Sequence, residues 1–152
     1  MRNNRRVCRV AMLRWFQRLF GFGAPPNAGA MGERQAAAWL QRERGFKIVA
    51  SNWRDPRDRR QEIDLVCRDR DVLVFVEVKA RAAGALVPGY FAVDRRKKKI
   101  MRKAIDGYLS RLNPAPRTFR FDVVEVILNS DSAEPEILHF ENVRLFPKHY
   151  RR

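Results

Sequence analysis

The sequence has few of the residues on which several classes of protein depend. Its two cysteines, Cys8 and Cys67, are far apart and form no metal-binding spacing, so a disulfide framework is not indicated and the reducing cytoplasm is the expected location. No apolar run approaches the roughly 18 residues that a membrane span needs, so we expect no stable membrane insertion. The N-terminal segment lacks the continuous apolar stretch of a signal peptide, which is therefore not expected.

Acidic residues are scarce relative to basic ones. The 152 residues include 32 Lys and Arg against 17 Asp and Glu, which gives a formal charge of +15 at pH 7. Such an excess indicates the kind of partner rather than the fold. Nucleic acid is the expected polyanion, and an anionic membrane surface is the second candidate. An apolar content of 45% is enough for a buried core, which argues against a disordered chain.

Composition divides the chain into two parts. Residues 1–30 are predicted to be a basic extension and a linker containing Gly and Pro, and residues 31–152 are predicted to form a single domain. Apolar residues between Val10 and Phe20 have helical spacing among arginines, as in a short basic amphipathic helix that binds nucleic acid or a membrane surface. A weakly ordered extension is the simpler interpretation of the same segment.

Hydrophobic periodicity and turn residues predict a mixed α/β domain. We expect a helix at 32–45, strands at 46–53, 62–68 and 72–81, a helix at 93–112, and strands at 118–128 and 137–146. Charged residues 55–61 are expected to form a turn, and the Gly-containing residues 82–91 a loop. The expected architecture is a mixed sheet of four to five strands flanked by two helices, in the order α-β-β-β-α-β-β.

The third predicted strand, VLVFVEVKAR, carries Glu77 and Lys79 within an apolar run. Because side chains alternate across a strand, these two residues share a face with Leu73 and Phe75, whereas valines line the other face. A strand that is apolar on both faces is typical of the centre of a sheet. A half-buried carboxylate at Glu77 therefore requires a cation or hydrogen bonds for compensation.

Asp64, in the second predicted strand, is the expected companion of Glu77, since a hairpin would bring the two strands together. Neighbouring carboxylates repel each other unless a cation lies between them. Mg²⁺ prefers oxygen ligands and is commonly bound by one or two carboxylates plus a substrate phosphate. The pattern predicts a site for Mg²⁺ or Mn²⁺ at Asp64 and Glu77, where Lys79 assists phosphodiester hydrolysis and Glu33 adds a carboxylate from the first helix.

Simpler interpretations of these residues stay open. Glu77 and Lys79 would form an exposed ion pair worth under about 1 kcal/mol. Asp64 would end a strand, and Glu33 would be an acid favoured by the dipole at the start of a helix. Each interpretation is common for a single residue. The combination of Asp64 with Glu77 and Lys79 in a hydrophobic strand of a strongly basic chain keeps a metal-dependent phosphodiesterase site open beside them.

Basic residues near this site are expected to bind phosphates. One group begins the second helix, and another forms a basic loop ahead of Asp64 that includes Arg54, Arg57 and Arg59. The predicted nucleic-acid contacts are Lys97, Lys98, Arg95, Arg96, Arg81 and Arg60. Trp53 would stack on an unpaired base, although a position in the core is the simpler interpretation. No motif for base-specific recognition is present.

Asp64 followed by Glu77-Val78-Lys79 resembles the Asp…(Asp/Glu)-x-Lys signature of the restriction-endonuclease-like nuclease superfamily. More narrowly, the chain from about Gly32 to Leu128 resembles the YraN family, small bacterial proteins related to archaeal Holliday-junction resolvases. The matching segments are GERQAAAWL, GFKIVASNWR, EIDLVCRD, LVFVEVKAR, KKKIMRKA and FRFDVVEV. The resemblance implies a restriction-endonuclease-like core and a metal-dependent endonuclease that acts on DNA, including branched DNA.

The resemblance also implies roles for individual residues. Asp64 and Glu77 would be metal ligands, Lys79 a catalytic residue and Glu33 an accessory one. Lys97 matches a recurrent lysine that would reach a phosphate, and Asp122 is expected to be structural. Gln61 stands where the family has a glycine ahead of Glu62, and Glu62 would lie beside the site. Analogy with the resolvases implies a homodimer. The alternative function is a nucleic-acid-binding protein that keeps the nuclease fold and does not cleave.

Overall fold

The computed structural model describes residues 27–82, 95–128 and 134–146, which form two helices and one five-stranded sheet. The elements are α1 (Ala28–Arg44), β1 (Lys47–Asp55), β2 (Asp58–Asp69), β3 (Val72–Ala82), α2 (Arg95–Leu109), β4 (Thr118–Leu128) and β5 (Glu136–Phe140). This order confirms the expected fold class. Residues 1–26 of the predicted extension and residues 83–91 of the predicted loop lie outside the described residues, as do residues 92–94.

The sheet follows chain order, β1-β2-β3-β4-β5, with β3 at its centre. Strands β3 and β4 are parallel, in register from Val72 opposite Thr118 to Ala82 opposite Leu128. The other three pairs of neighbours are antiparallel. Helix α2 lies between β3 and β4 in sequence and provides the crossover that a parallel pair requires. The C-terminal half of β3, which carries Glu77 and Lys79, is therefore supported by β4 along its whole length.

The two helices bury opposite faces of the sheet. Phe75 belongs to the hydrophobic core beneath α2, where it packs with Ile105. Val76, the next residue in β3, belongs to the core beneath α1, together with Leu40. This alternation confirms the two apolar faces predicted for β3, and it places Glu77 on the face covered by α2.

The start of α1 differs from the prediction. The helix begins at Ala28 rather than at Gly32, and it ends as expected at Gly45, which has a left-handed φ of 67°. Gly32 lies inside the helix because α1 packs closely on β3 there: a Cβ atom at Gly32 would lie 2.7 Å from the Cβ of Ala80. The glycine that suggested a helix boundary is thus a contact point between helix and sheet.

The predicted basic loop ahead of Asp64 is wrong in its extent. β1 continues to Asp55 and β2 begins at Asp58, so a two-residue turn connects them. The backbone N–H of Arg57 in this turn donates a hydrogen bond of 2.8 Å to Asp55 Oδ1. Arg59 and Arg60 consequently lie in β2, because the antiparallel pairing of β1 with β2 extends further than the polar sequence indicates.

The final strand is shorter than predicted, since β5 ends at Phe140 instead of continuing to residue 146. Asn142 adopts a left-handed φ of 52°, which interrupts extended backbone. Its N–H donates a 2.9 Å hydrogen bond to the buried carboxylate of Asp122, which also contacts Arg120 Nε at 3.1 Å and His139 Nε2 at 2.9 Å. Asp122 therefore has the structural role that was expected of it, joining β4 to β5 and the segment that follows.

Candidate active site

Asp64 and Glu77 lie side by side on the face of the sheet that α2 covers. The antiparallel register of β2 and β3 ends with the pair Leu65 and Val76, and Asp64 and Glu77 are the next residues of the two strands. Asp64 Oδ2 accepts a 2.7 Å hydrogen bond from the backbone N–H of Val78, so the side chain takes the place of a backbone partner. Both carboxylates are buried, with 6% of Asp64 and 1% of Glu77 exposed. The site lies where β2 and β3 cease to pair.

Two lysines converge on one oxygen of Glu77. Lys79 Nζ lies 2.6 Å from Oε1, and Lys97 Nζ lies 3.0 Å from the same atom. Lys79 follows Glu77 on β3, whereas Lys97 comes from the first turn of α2. The other oxygen of Glu77, Oε2, is buried and has no hydrogen-bond partner within the part of the chain that the structure describes. A buried oxygen without a partner is a ligand position that a cation would satisfy.

The electrostatics of the site reflect two carboxylates in a confined space. Burial, reinforced by the charge of Glu77, raises the pKa of Asp64 to about 7, although the hydrogen bond from Val78 opposes this shift. Burial acts to lower the pKa of Lys97, but the nearby carboxylates of Glu77 and Asp64 outweigh it and raise that pKa overall. Lys97 therefore keeps its positive charge beside the pair.

Two further acids lie around the pair. The charge of Glu33 contributes to the raised pKa of Asp64, after burial and the charge of Glu77. Helix α1 meets β3 at Ala80, next to Lys79, so the half-buried Glu33 lies at the end of the sheet that carries the site. Glu62 forms a 2.9 Å ion pair with Arg54, and its charge also raises the pKa of Lys97.

The residues present fit a metal ion bound by two protein ligands. Within the described ranges, no group of three or more His, Cys, Asp or Glu side chains is arranged to hold a metal ion. Mg²⁺ is nevertheless bound in many proteins by one or two carboxylates, with water and substrate phosphate completing the coordination. The paired carboxylates and the unpartnered Oε2 of Glu77 meet that requirement. Asp64 and Glu77 are the residues that would hold such an ion.

The predicted phosphate contacts differ in exposure and in the acidic partners that they already have. Arg96 is exposed and Lys98 half-buried on α2, whereas Lys97 points to Glu77. Arg81 pairs with the buried Glu125 at 2.9 Å, and the exposed Arg60 contacts both oxygens of Asp58, at 2.8 and 3.0 Å. The side chain of Arg95 lies outside the described residues.

Trp53 is a packing residue. Its ring makes an edge-on contact with Tyr108 at 5.3 Å between centroids, and the guanidinium of Arg111 lies 5.4 Å from the ring centre. Arg111 also pairs with Asp55 at 3.0 Å, which fixes the end of β1 against α2. The interpretation of Trp53 as part of the core is therefore favoured over base stacking.

Sequence reasoning missed two features of the site. Glu125 is 3% exposed and lies on β4 directly opposite Lys79, with Arg81 as its ion-pair partner. Lys97 was assigned to phosphate alone, although it contacts Glu77. Both features depend on the parallel register of β3 and β4 and on the position of α2, which no local pattern encodes.

Neither of the two helices in the described ranges is long and apolar enough to cross a membrane. This finding agrees with the absence of a long apolar run from the sequence.

The fold and the site define a class: a mixed α/β domain consistent with a restriction-endonuclease-like core, with a carboxylate pair and two lysines where the central strands separate. The chain belongs to the family described as Uncharacterised protein family UPF0102, whose model matches residues 32–126. That range contains Asp64, Glu77 and all the other residues described above as part of the site. This match confirms the family assignment, and descent from the nuclease superfamily stays a prediction.

Individual relatives agree with this assignment. The chain is 43% identical over 113 residues to a UPF0102 protein of Anaeromyxobacter dehalogenans, covering 74% of this chain and 79% of the relative. It is 36% identical over 116 residues to a UPF0102 protein of Porphyromonas gingivalis, covering 76% and 82% respectively. A UPF0102 protein of Chlorobaculum tepidum is 40% identical over 104 residues, with 68% and 78% covered. The similarity thus spans most of each relative.

Proposed function

We propose that this protein is a metal-dependent endonuclease of the restriction-endonuclease-like superfamily that hydrolyses phosphodiester bonds in DNA, including branched DNA. The observation that supports it best is the buried pair Asp64 and Glu77, in which one carboxyl has a pKa of about 7 and the other has an oxygen without a hydrogen-bond partner among the described atoms. Such a pair is costly to bury, and perturbed carboxylates of this kind cluster at functional sites.

The residues of the site divide the work of hydrolysis. Asp64 and Glu77 would hold Mg²⁺ or Mn²⁺, which when bound supplies a polarised water and offsets charge on the phosphate. Lys79 is held beside Glu77 at 2.6 Å, where its ammonium donates to a phosphate oxygen or to the attacking water. Glu33, at the adjoining end of α1, orients water beside Asp64. In this proposal the protein acts in the cytoplasm, and a homodimer would cut both strands of a junction.

Binding to DNA would depend on the basic residues of α2. Arg96, Lys99 and Lys103 are exposed at helical spacing and form a stripe along one side of the helix. Contacts between this stripe and phosphates give affinity without sequence preference and a steep dependence on salt concentration. The first turn of α2 also carries Lys97, which lies 3.0 Å from Glu77 Oε1, so the stripe starts close to the carboxylate pair.

A second candidate is a nucleic-acid-binding protein that does not cleave. Glu77 already has two ammonium groups at its Oε1 atom, so much of its burial cost is offset without a metal ion. The charge of +15 is sufficient for binding by itself. This candidate predicts affinity for DNA or RNA without reaction products.

A cleavage assay distinguishes the two functions. The protein is incubated with supercoiled plasmid, a synthetic four-way DNA junction or a matched RNA junction, in Mg²⁺, Mn²⁺ or EDTA. We expect products only with a divalent ion, and none from Asp64→Ala or Glu77→Ala. The control is Asp71→Ala, which removes an exposed carboxylate in the β2–β3 turn and should leave cleavage unchanged. Undiminished cleavage by the Asp64 and Glu77 variants would contradict the proposed site, and binding without products would favour the second candidate.

A further inference from the structure

We propose that Lys97 couples metal binding to DNA binding, because its ammonium pairs either with Glu77 or with a DNA phosphate. The inference rests on the proposed function and concerns the regulation of the same site. It assigns Lys97 a role distinct from those of Lys79, which stays with the carboxylates, and of the exposed lysines of α2, which contact DNA only.

The two lysines hold Glu77 at different distances. Both contact Oε1, but Lys79 is closer, at 2.6 Å against 3.0 Å for Lys97. Lys79 is also two residues away on the same strand. Glu77 therefore keeps an ammonium partner when Lys97 moves away, and the release of Lys97 does not leave a buried carboxylate uncompensated.

The side chain of Lys97 is partly accessible to solvent. Its side chain is 36% exposed, whereas that of Glu77 is 2% exposed. A lysine has a flexible four-carbon stem, so its ammonium can turn from a buried carboxylate to a group outside without movement of the helix. The contact of Lys97 with Glu77 is thus one that a competing anion can exchange.

The position of Lys97 on α2 favours contact with a phosphate. It lies in the first turn of a 15-residue helix, between the exposed Arg96 and the half-buried Lys98. Basic side chains and the positive end of the helix dipole both attract a phosphate to this turn. A phosphate bound there lies within reach of the Lys97 ammonium, which can then pair with either the phosphate or the Glu77 carboxylate.

The Lys97 ammonium and a divalent cation compete for the carboxylate of Glu77. A positive charge 3.0 Å from Oε1 opposes the approach of a divalent cation to the same carboxylate. When Lys97 moves to a phosphate, that opposition is removed and Glu77 becomes a better metal ligand. Binding of DNA should therefore tighten metal binding, and by linkage the metal should tighten DNA binding by the same factor. The site is filled by metal mainly when DNA is present.

The test measures Mn²⁺ affinity with and without DNA. Free Mn²⁺ is followed by its EPR signal during titration of the full-length protein at a pH of about 8.5, above the pKa of about 7 of Asp64, so that this carboxylate is ionised. The DNA is a duplex with phosphorothioate linkages that resist cleavage, and a titration of the duplex alone is subtracted. We expect DNA to tighten Mn²⁺ binding by about fivefold or more in the wild type, within the usual range of coupling between sites.

Two substitutions give the decisive comparison. Without DNA, Lys97→Met should bind Mn²⁺ more tightly than the wild type, because the competing charge is absent. On DNA addition its gain in affinity should be at most about half that of the wild type, since only the contribution of a phosphate ligand to the metal then remains. Lys47→Met is the matched control: it removes an exposed lysine of β1, outside the basic stripe of α2, and should keep the wild-type coupling. Lys97→Gln provides a second variant of the same kind if the first proves unstable.

Each outcome decides between defined alternatives. Mn²⁺ binding that is abolished in Asp64→Asn but unaffected by DNA in the wild type overturns the inference and leaves the proposed metal site intact. Coupling in Lys97→Met as large as in the wild type also overturns it. Coupling in the wild type, together with no products from unmodified DNA in the cleavage assay, retains the inference and overturns the endonuclease. If wild type and Asp64→Asn bind Mn²⁺ equally weakly with DNA present, both proposals fail.

Discussion

Replacing Asp64 by Asn should stabilise the protein at alkaline pH although it removes a residue of the proposed active site. Asn keeps an oxygen that can accept the 2.7 Å hydrogen bond from Val78 N–H. It removes the buried charge that repels Glu77. Carboxylates placed for function in this way commonly reduce stability, so their neutral replacements are often more stable than the wild type.

The size of the effect follows from the pKa of Asp64. That pKa is about 7 in the folded protein, against an ordinary value of 3.8, because of burial and the neighbouring carboxylate. The folded protein therefore holds a proton that the unfolded chain releases. The resulting stabilisation is complete below the ordinary pKa and is lost as the pH rises through about 7. The full shift corresponds to about 4 kcal/mol, of which roughly 2–3 kcal/mol is lost between pH 5 and pH 8.

Urea denaturation at pH 5 and pH 8 in EDTA measures this difference. The advantage of Asp64→Asn over the wild type in the free energy of unfolding should be larger at pH 8 by about 2–3 kcal/mol. The control is Asp71→Asn, which makes the same chemical change at an exposed position in the β2–β3 turn, away from the carboxylate pair. An equal advantage at both pH values, or an Asp64→Asn protein less stable than the wild type at pH 8, would refute the reasoning.

Three other substitutions, one of them with a matched control, test the packing and the site. Gly32→Ala places a Cβ 2.7 Å from that of Ala80 and should lower the unfolding free energy by about 1–3 kcal/mol. Gly29→Ala, in open space on the same helix, should be neutral or stabilising by up to about 1 kcal/mol; equal losses in urea denaturation at both positions would contradict the close contact. Asp122→Ala removes the buried acceptor of the Arg120 and Asn142 hydrogen bonds, although Arg120 keeps Asp69 as an ion-pair partner, and it should cost about 1–3 kcal/mol in the same assay; a change below about 0.5 kcal/mol would contradict its structural role. Glu77→Gln should abolish Mg²⁺-dependent cleavage while tightening DNA binding in EDTA, because it removes the negative charge that holds two ammonium groups. Weaker binding, measured by fluorescence anisotropy of a labelled duplex, would argue against that release.

Much of the fold could be inferred from local patterns. The alternation within VLVFVEVKAR predicts two buried faces, and the structure confirms that Phe75 and Val76 enter different cores. The ends of helices and strands could not be predicted where one residue type is compatible with both a boundary and a close packing contact. Gly32 suggests the start of a helix by composition, yet it lies within α1 because the helix approaches β3 at that point.

The candidate site could be predicted in part. Asp64, Glu77 and Lys79 lie on neighbouring strands of a hairpin, so their proximity follows from strand alternation and one short turn. Lys97 and Glu125 could not be placed in the same way. Lys97 contacts Glu77 from the crossover helix α2. Glu125 lies beside Lys79 because β3 and β4, which are distant in sequence, pair in parallel.

The sequence by itself determined the order of the elements, the central position of β3, the excess of positive charge and the pairing of two carboxylates with a lysine. These properties depend on side-chain periodicity, composition and short-range connection, all of which are local. Only the tertiary structure decided which lysine of α2 turns inward, which oxygen of Glu77 has no partner in the described residues, and how far burial shifts Asp64. Those properties depend on distances between segments far apart in the chain and on the exclusion of water, and both arise only once the helices have packed on the sheet.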